Sequence, residues 1–184
     1  MIIKPDVWRR KKSEQIADCR VFSVRKDFCT RESDNAESTF FVIENPDWVN
    51  IIGVTTDDKI VLIEQFRHGT EEIILEIPGG MIDKGESPET AARREFVEET
   101  GFEAEEFIFL GESRPNPALQ NNTIYHFYAK DCVKTGRTSF DDHESVSTKL
   151  VNFGDAKKLI AGGEITHSLA VAGFYYLALH FDRL

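Results

Sequence analysis

The sequence predicts a mixed α/β fold, an α+β arrangement with one mixed sheet and helices against its faces. The order of elements carries that expectation. Short β-rich runs come first, then a well-capped helix, then further strands, then two helices. Length and composition agree with it. The chain has 184 residues, 41% hydrophobic and 29% charged, which suits one well-packed domain with a small appended element.

Residues 1–46 read as an N-terminal strand region, and residues 47–184 as the main domain. In the first region, 19–24 and 38–43 are β-rich runs, with a polar hairpin loop over 30–38. The basic run Arg9–Lys12 reads as a solvated N-terminal segment. Asn45-Pro46-Asp47 marks a turn. Residues 48–55 and 59–66 read as a hairpin closed by Thr56-Asp57-Asp58, and 72–78 as a returning strand that runs into Gly79-Gly80. Residues 87–100 form the best-defined helix. Ser87 is an N-cap type, Pro88 suits the first helical position, Glu89 suits the positive end of the dipole, and Gly101 closes the far end. Strands over 107–110 and 123–128 flank a long loop, 113–122, with Pro115 and Pro117. A loop of that length in a compact domain is a candidate binding loop. A second polar loop covers 135–144, followed by a strand over 147–153 and helices over 154–161 and 167–181.

The formal charge of -10 disfavours a grip on polymeric nucleic acid, which needs a basic surface. A small phosphorylated substrate is compatible with it, because bound cations reverse the local field. No apolar run approaches the length of a membrane span, and the start lacks the pattern of a signal peptide. Cys19, Cys29 and Cys132 lack metal-site spacing and read as unpaired thiols in a reducing cytoplasm.

On the helix, Glu95, Glu98 and Glu99 stand at i, i+3 and i+4, so their carboxylates share one face. Clustered carboxylates repel unless a cation is bound. Hard oxygen ligands without His or Cys favour Mg²⁺ or Mn²⁺ over zinc. By itself such a triad also fits a solvated acidic face balanced by Arg93 and Arg94. Here it is joined by Gly79-Gly80, which allows close backbone approach, and by Glu86 just before the helix. Ala92 and Phe96, on the adjacent flank, are placed to anchor the helix to the sheet.

Gly80, Glu86, Arg94-Glu95-Phe96, Glu98-Glu99 and Gly101-Phe102 together resemble the Nudix box at every specified position. The resemblance covers the chain from about residue 40 to 181 and implies an α/β/α sandwich with an N-terminal β-rich arm. It implies metal-dependent hydrolysis of a nucleoside diphosphate linked to another moiety. Glu95 and Glu99 then resemble the principal metal ligands, with Glu98 sharing, Glu86 contributing through water, and the Gly79 carbonyl as a backbone ligand. Arg94 resembles the residue that orients the carboxylates by salt bridge.

The flanks, Gln65-Phe66-Arg67-His68-Gly69 and Leu75-Glu76-Ile77-Pro78, are similar to the branch acting on ADP-ribose and nucleotide sugars. Pro115 or Pro117 falls near a proline of that branch, although Arg114-Pro115-Asn116-Pro117 departs from its Ser-Pro-Gly form. The branch carries a catalytic carboxylate on a later loop. Glu144 is the first choice for it and Asp142 the second. Arg67 is either a phosphate contact or an ion-pair partner of Glu64 or Glu76, and His68 reads as structural. Trp8, Phe28 and Phe41 are candidates for stacking on the base, and Asn116 and Asn121 for hydrogen bonds to sugar or base. The resemblance also implies a homodimer in which the arm packs on its partner. Two other functions share these residues: a nucleoside triphosphate or dinucleotide pyrophosphatase, and a nucleotide-sensing module without catalysis.

Overall fold

The computed structural model describes residues 5–136, 138 and 145–182. The chain divides into two compact units, Met1–Pro46 with Asn116–Asn122, and Asp47–Pro115 with Thr123–Leu184.

The first unit is an antiparallel three-stranded sheet of β1 (Trp8–Asp18), β2 (Ser23–Arg31) and β3 (Glu37–Glu44), in that order. The basic run expected to be a solvated segment is therefore part of a strand. Its side chains are almost all exposed, so no apolar alternation announced it, and backbone pairing with β2 holds it. The strand expected over 19–24 starts later. Arg20 adopts a positive φ of 65°, and its N–H is accepted by the Asp18 carboxylate at 3.1 Å, which makes residues 19–22 a turn. Asp27 of β2 is buried and satisfied by Ser13 at 2.6 Å and Arg25 at 3.0 Å. Within the unit, the Ile43 N–H bonds the Leu119 carbonyl at 2.8 Å, so residues 116–122 extend the β3 side.

The second unit is built on a mixed sheet. Its strands are β4 (Trp48–Thr55), β5 (Lys59–Arg67), β6 (Glu72–Glu76), β7 (Gly79–Met81), β8 (Phe102–Glu103), β9 (Glu106–Ser113), β10 (Ile124–Lys134) and β11 (Val146–Asn152). The main path runs β11-β5-β4-β10-β8, with β6 on β5, β7 on β4 and β9 on β10. Only the β4–β10 pair is parallel among these strands. The helices are α1 (Pro88–Thr100), α2 (Ala156–Ala161) and α3 (Ser168–His180). The helix expected over 154–161 is shorter at its start because Phe153–Asp155 form a 3₁₀ turn. β8 was not expected; two residues show no period.

Strand alternation sorts side chains onto two cores. Val49, Ile51, Val61, Phe127 and Ala129 pack with Ala91, Ala92 and Phe96 of α1. Ile52, Val54, Ile60, Leu62 and Tyr128 pack with Ala170, Phe174 and Leu177 of α3. Gly53 is required on the α1 side, since a Cβ there would lie 2.4 Å from the Phe96 ring. The expected anchors Ala92 and Phe96 are both fully buried. Cys19, Cys29 and Cys132 are free thiols, and burial pushes the Cys132 pKa up to about 12.

On the α3 side lies one ionisable side chain that the helix traps. His126 is fully buried, its Nε2 bonds Ser113 Oγ at 2.8 Å, and its ring stacks on Tyr176 at 5.0 Å. Nδ1 has no partner among the described residues. Burial keeps the imidazole neutral and lowers its pKa from 6.5 to about 4. The unfolded chain binds this proton below about pH 6.5 and the folded chain only near pH 4, so stability is complete above 6.5 and declines as pH falls through that window. The loss is expected to be on the order of 3 kcal/mol. Urea unfolding across this range should show it, with a flatter dependence in His126→Gln; equal slopes would contradict it.

Candidate active site

Helix α1 begins at a backbone turn set by its own residues. Ser87 Oγ accepts the Thr90 N–H at 3.1 Å, and Pro88 occupies the first turn. The helix ends at Gly101, whose left-handed φ of 68° lets its N–H reach the Val97 carbonyl. Between these ends, α1 turns Ala91, Ala92 and Phe96 into the core and leaves Glu95 and Glu99 facing β7.

Both glycines of β7 meet those glutamates. The Gly79 N–H donates to Glu99 Oε2 at 2.9 Å, and Glu99 is buried. A Cβ on Gly80 would lie 2.3 Å from the Glu95 carboxyl carbon, so only glycine lets that carboxylate sit against the strand. β7 is in turn fixed by antiparallel pairing of Gly79 with Asn50 and of Gly80 with Val49.

Arg94 ties the carboxylates together. Its Nε and Nη2 donate to the two oxygens of Glu86 at 3.1 and 2.9 Å. Its Nη1 donates to Glu95 at 2.8 Å and to Glu98 at 3.2 Å. Nη2 also reaches the Met81 carbonyl at 3.0 Å. The hydrogen bonds that Arg94 donates to Glu86 come first in raising the Arg94 pKa well above its ordinary value, against the cost of burial. Those same bonds hold the Glu86 carboxyl below the usual carboxylate range. Among the described residues no three His, Cys, Asp or Glu side chains converge on a common point as a metal cluster; the guanidinium stands among them instead. The donor set is nevertheless one of hard oxygens gathered beside a glycine cradle. That chemistry fits a hard divalent cation.

The structure thus brings Gly79, Glu86, Arg94, Glu95, Glu98 and Glu99 together. Arg67 stands apart from this group, its Nε donating to Glu76 Oε1 at 2.7 Å. The other oxygen of Glu76 takes His167 Nδ1 at 2.5 Å. Burial raises the Glu76 pKa, but the hydrogen bonds from His167 and Arg67 outweigh it, and the net shift is downward. Sequence reasoning gave Glu76 no role of its own and passed over His167. The one signal was a lone acid in the apolar run Ile73-Ile74-Leu75-Glu76-Ile77. His68 packs edge-on against Phe66 at 5.2 Å.

Pro115 follows β9, whereas Asn116 belongs to the N-terminal unit and accepts the Leu119 and Gln120 N–H groups through its carbonyl. The Asn121 side chain accepts the Asn45 N–H at 3.1 Å in that same unit. Trp8 meets Phe40 edge-on at 5.2 Å, Phe28 is flanked by Lys26 at 4.9 Å and Lys12 at 5.6 Å, and Phe41 is exposed. Glu144 and Asp142 lie outside the described residues.

Residues 45–169 match the NUDIX domain. The chain is 33% identical over 170 residues to the methanol dehydrogenase activator of Bacillus methanolicus, covering 91% of each chain. It is 32% identical over 139 residues to the ADP-ribose pyrophosphatase of Bacillus subtilis, covering 75% of each. A crystal structure of an ADP compounds hydrolase shares the fold with a TM-score of 0.84 at 22% identity, over 100% of both chains. With its acidic helix set behind the Gly79-Gly80 strand and its sequence matched over most of its length, the chain belongs to the NUDIX family.

Proposed function

We propose that this protein hydrolyses the pyrophosphate bond of ADP-ribose or a related nucleoside diphosphate sugar, giving a nucleoside monophosphate and a sugar phosphate. The observation that carries the reading is the gathering of Glu86, Glu95 and Glu98 around one guanidinium, with Glu99 held by the Gly79 amide. The ADP-ribose pyrophosphatase of B. subtilis and the ADP compounds hydrolase support the substrate class.

In this reading Glu95, Glu99 and Glu98 hold Mg²⁺ or Mn²⁺, with Glu86 and the Gly79 carbonyl contributing. The chemistry a divalent cation supplies at such a site is neutralisation of diphosphate charge and acidification of water. Arg94 keeps the carboxylates oriented and separated. Arg67 contacts a phosphate oxygen. Glu144, or Asp142 in its place, accepts the proton of the attacking water. Pro115 and Asn116 border the substrate, and Trp8 or Phe28 stacks on the base. Residues 1–46 serve as a dimerisation arm, and the homodimer works in the cytoplasm on a small nucleotide, away from polymeric nucleic acid and membranes. Among the described residues no helix is long and apolar enough to cross a membrane.

The direct experiment is a panel of ADP-ribose, ADP-glucose, UDP-glucose, GDP-mannose, dinucleoside polyphosphates and deoxynucleoside triphosphates with Mg²⁺ and Mn²⁺, with products identified. Release of AMP and ribose 5-phosphate from ADP-ribose is expected. Preferred release of inorganic pyrophosphate from a triphosphate would move the function to the sanitising class. Tight nucleotide binding with no turnover would make the protein a sensor. Glu99→Gln is expected to lower turnover by more than about 100-fold while the thermal midpoint is preserved, since a direct ligand should matter at least as much as the groups behind it. Near-normal turnover would sink the ligand assignment.

Light scattering should give twice the mass of one chain; a monomer at assay concentration would remove the dimerisation role of residues 1–46.

A further inference from the structure

Glu76 is an ionised side chain with only 1% of its surface exposed, and no step described above uses it. Burying a carboxylate is costly unless its oxygens are fully engaged. Both are engaged here, Oε1 by Arg67 Nε at 2.7 Å and Oε2 by His167 Nδ1 at 2.5 Å.

The way Arg67 is bound is informative. A guanidinium tied to a carboxylate through Nε keeps its Nη1–Nη2 edge for something else. Among the described residues no hydrogen bond is made by Arg67 Nη1 or Nη2, and the side chain is 37% exposed. That edge is the fork that matches two phosphate oxygens.

The placement is equally informative. Along β5, Arg67 falls on the same face as Val61, Ile63 and Gln65, and Val61 packs against α1. Glu76 lies opposite Ile63, so it shares this face. Only Ile77 and Pro78 separate it from Gly79, whose amide holds Glu99. The pair therefore stands on the α1 side of the sheet, shortly before β7, the strand that meets Glu95 and Glu99 of α1.

His167 completes the arrangement. It is the N-cap residue of α3, yet its side chain makes no capping bond to its own helix. It reaches Glu76 instead.

We propose that Glu76 is a positioning residue that presents the Arg67 fork to the substrate diphosphate, and that His167 locks the Glu76 carboxylate in that orientation. This rests on the diphosphate-sugar reading above and adds to it residues outside the acidic helix. A carboxylate with one free oxygen could rotate and let the guanidinium swing. With His167 on Oε2, the Arg67 edge is fixed before substrate arrives, which lowers the ordering cost of binding.

The test is a double-mutant cycle in the full chain with Arg67→Ala, Glu76→Gln and the double variant, read as kcat and KM for ADP-ribose and as calorimetric Kd for ADP without metal. Arg67→Ala is expected to raise KM and Kd about 10-fold or more with kcat within about threefold, the pattern of lost uniform binding. Glu76→Gln is expected to raise both about fivefold in the parent and by nothing further in the Arg67→Ala background, because contacting residues are not additive. His167→Ala should repeat the Glu76→Gln pattern more weakly, and it carries the test if Glu76→Gln does not fold.

Equal effects of Glu76→Gln in both backgrounds, or a lowered thermal midpoint with KM and Kd unchanged, would reduce this trio to a structural tie and overturn the proposal. Absence of ADP binding by the parent protein would overturn it as well. If the parent binds ADP with the expected non-additivity but turns over no diphosphate sugar, the hydrolase reading falls and the positioning role stands.

Discussion

Mutual repulsion among the glutamates of one helix is the constraint from which the site's structure follows. Glu95, Glu98 and Glu99 cannot share a face cheaply without positive charge nearby. Arg94 supplies it by bonding Glu95, Glu98 and Glu86 at once. Glu86 precedes the helix, so the same guanidinium also pins the approach loop, and its bond to the Met81 carbonyl pins β7. One side chain thus sets the distance between loop, strand and helix. The chain can fold with these acids already oriented for a harder cation.

The glycines make that assembly possible. Glu95 lies where the Cβ of any other residue at 80 would be, and Gly53 stands under the Phe96 ring that seats the helix. Removing these side chains brings α1 close enough to the sheet for the Gly79 amide to reach Glu99. On the opposite side of the sheet, α3 covers the second core, and its N-cap residue reaches back to Glu76. The geometry of the acidic cluster and core packing are therefore one problem here, solved by where bulk is left out.

Much of this was legible in the sequence. The cap residues Ser87, Pro88 and Gly101 fix the helix to within its observed bounds, and the i, i+3, i+4 spacing places the acids on one face. The β4 and β5 runs were visible because both faces of these strands are buried and their composition is apolar. What was not legible depended on contacts between residues distant in the chain. Strand β1 has no apolar period, and only its partner β2 reveals it. The choice of Arg67 between Glu64 and Glu76 was open until the fold showed Glu64 bonded by Lys149 and Glu76 bonded by Arg67. His167 gave no local signal, because its partner lies on another strand. His126 looked like an ordinary strand residue until α3 closed over it.

If the acids of α1 are held in readiness for a hard cation, metal binding itself is the most direct measurement. Mn²⁺ titrated into the protein and followed by the paramagnetic resonance of the free ion should be taken up by the parent chain. Replacing Glu95 by Gln should weaken that uptake by about 10-fold or more, since it removes a charged oxygen donor. An unchanged Mn²⁺ affinity, or no uptake by the parent chain, would contradict the assignment of this helix as a metal site.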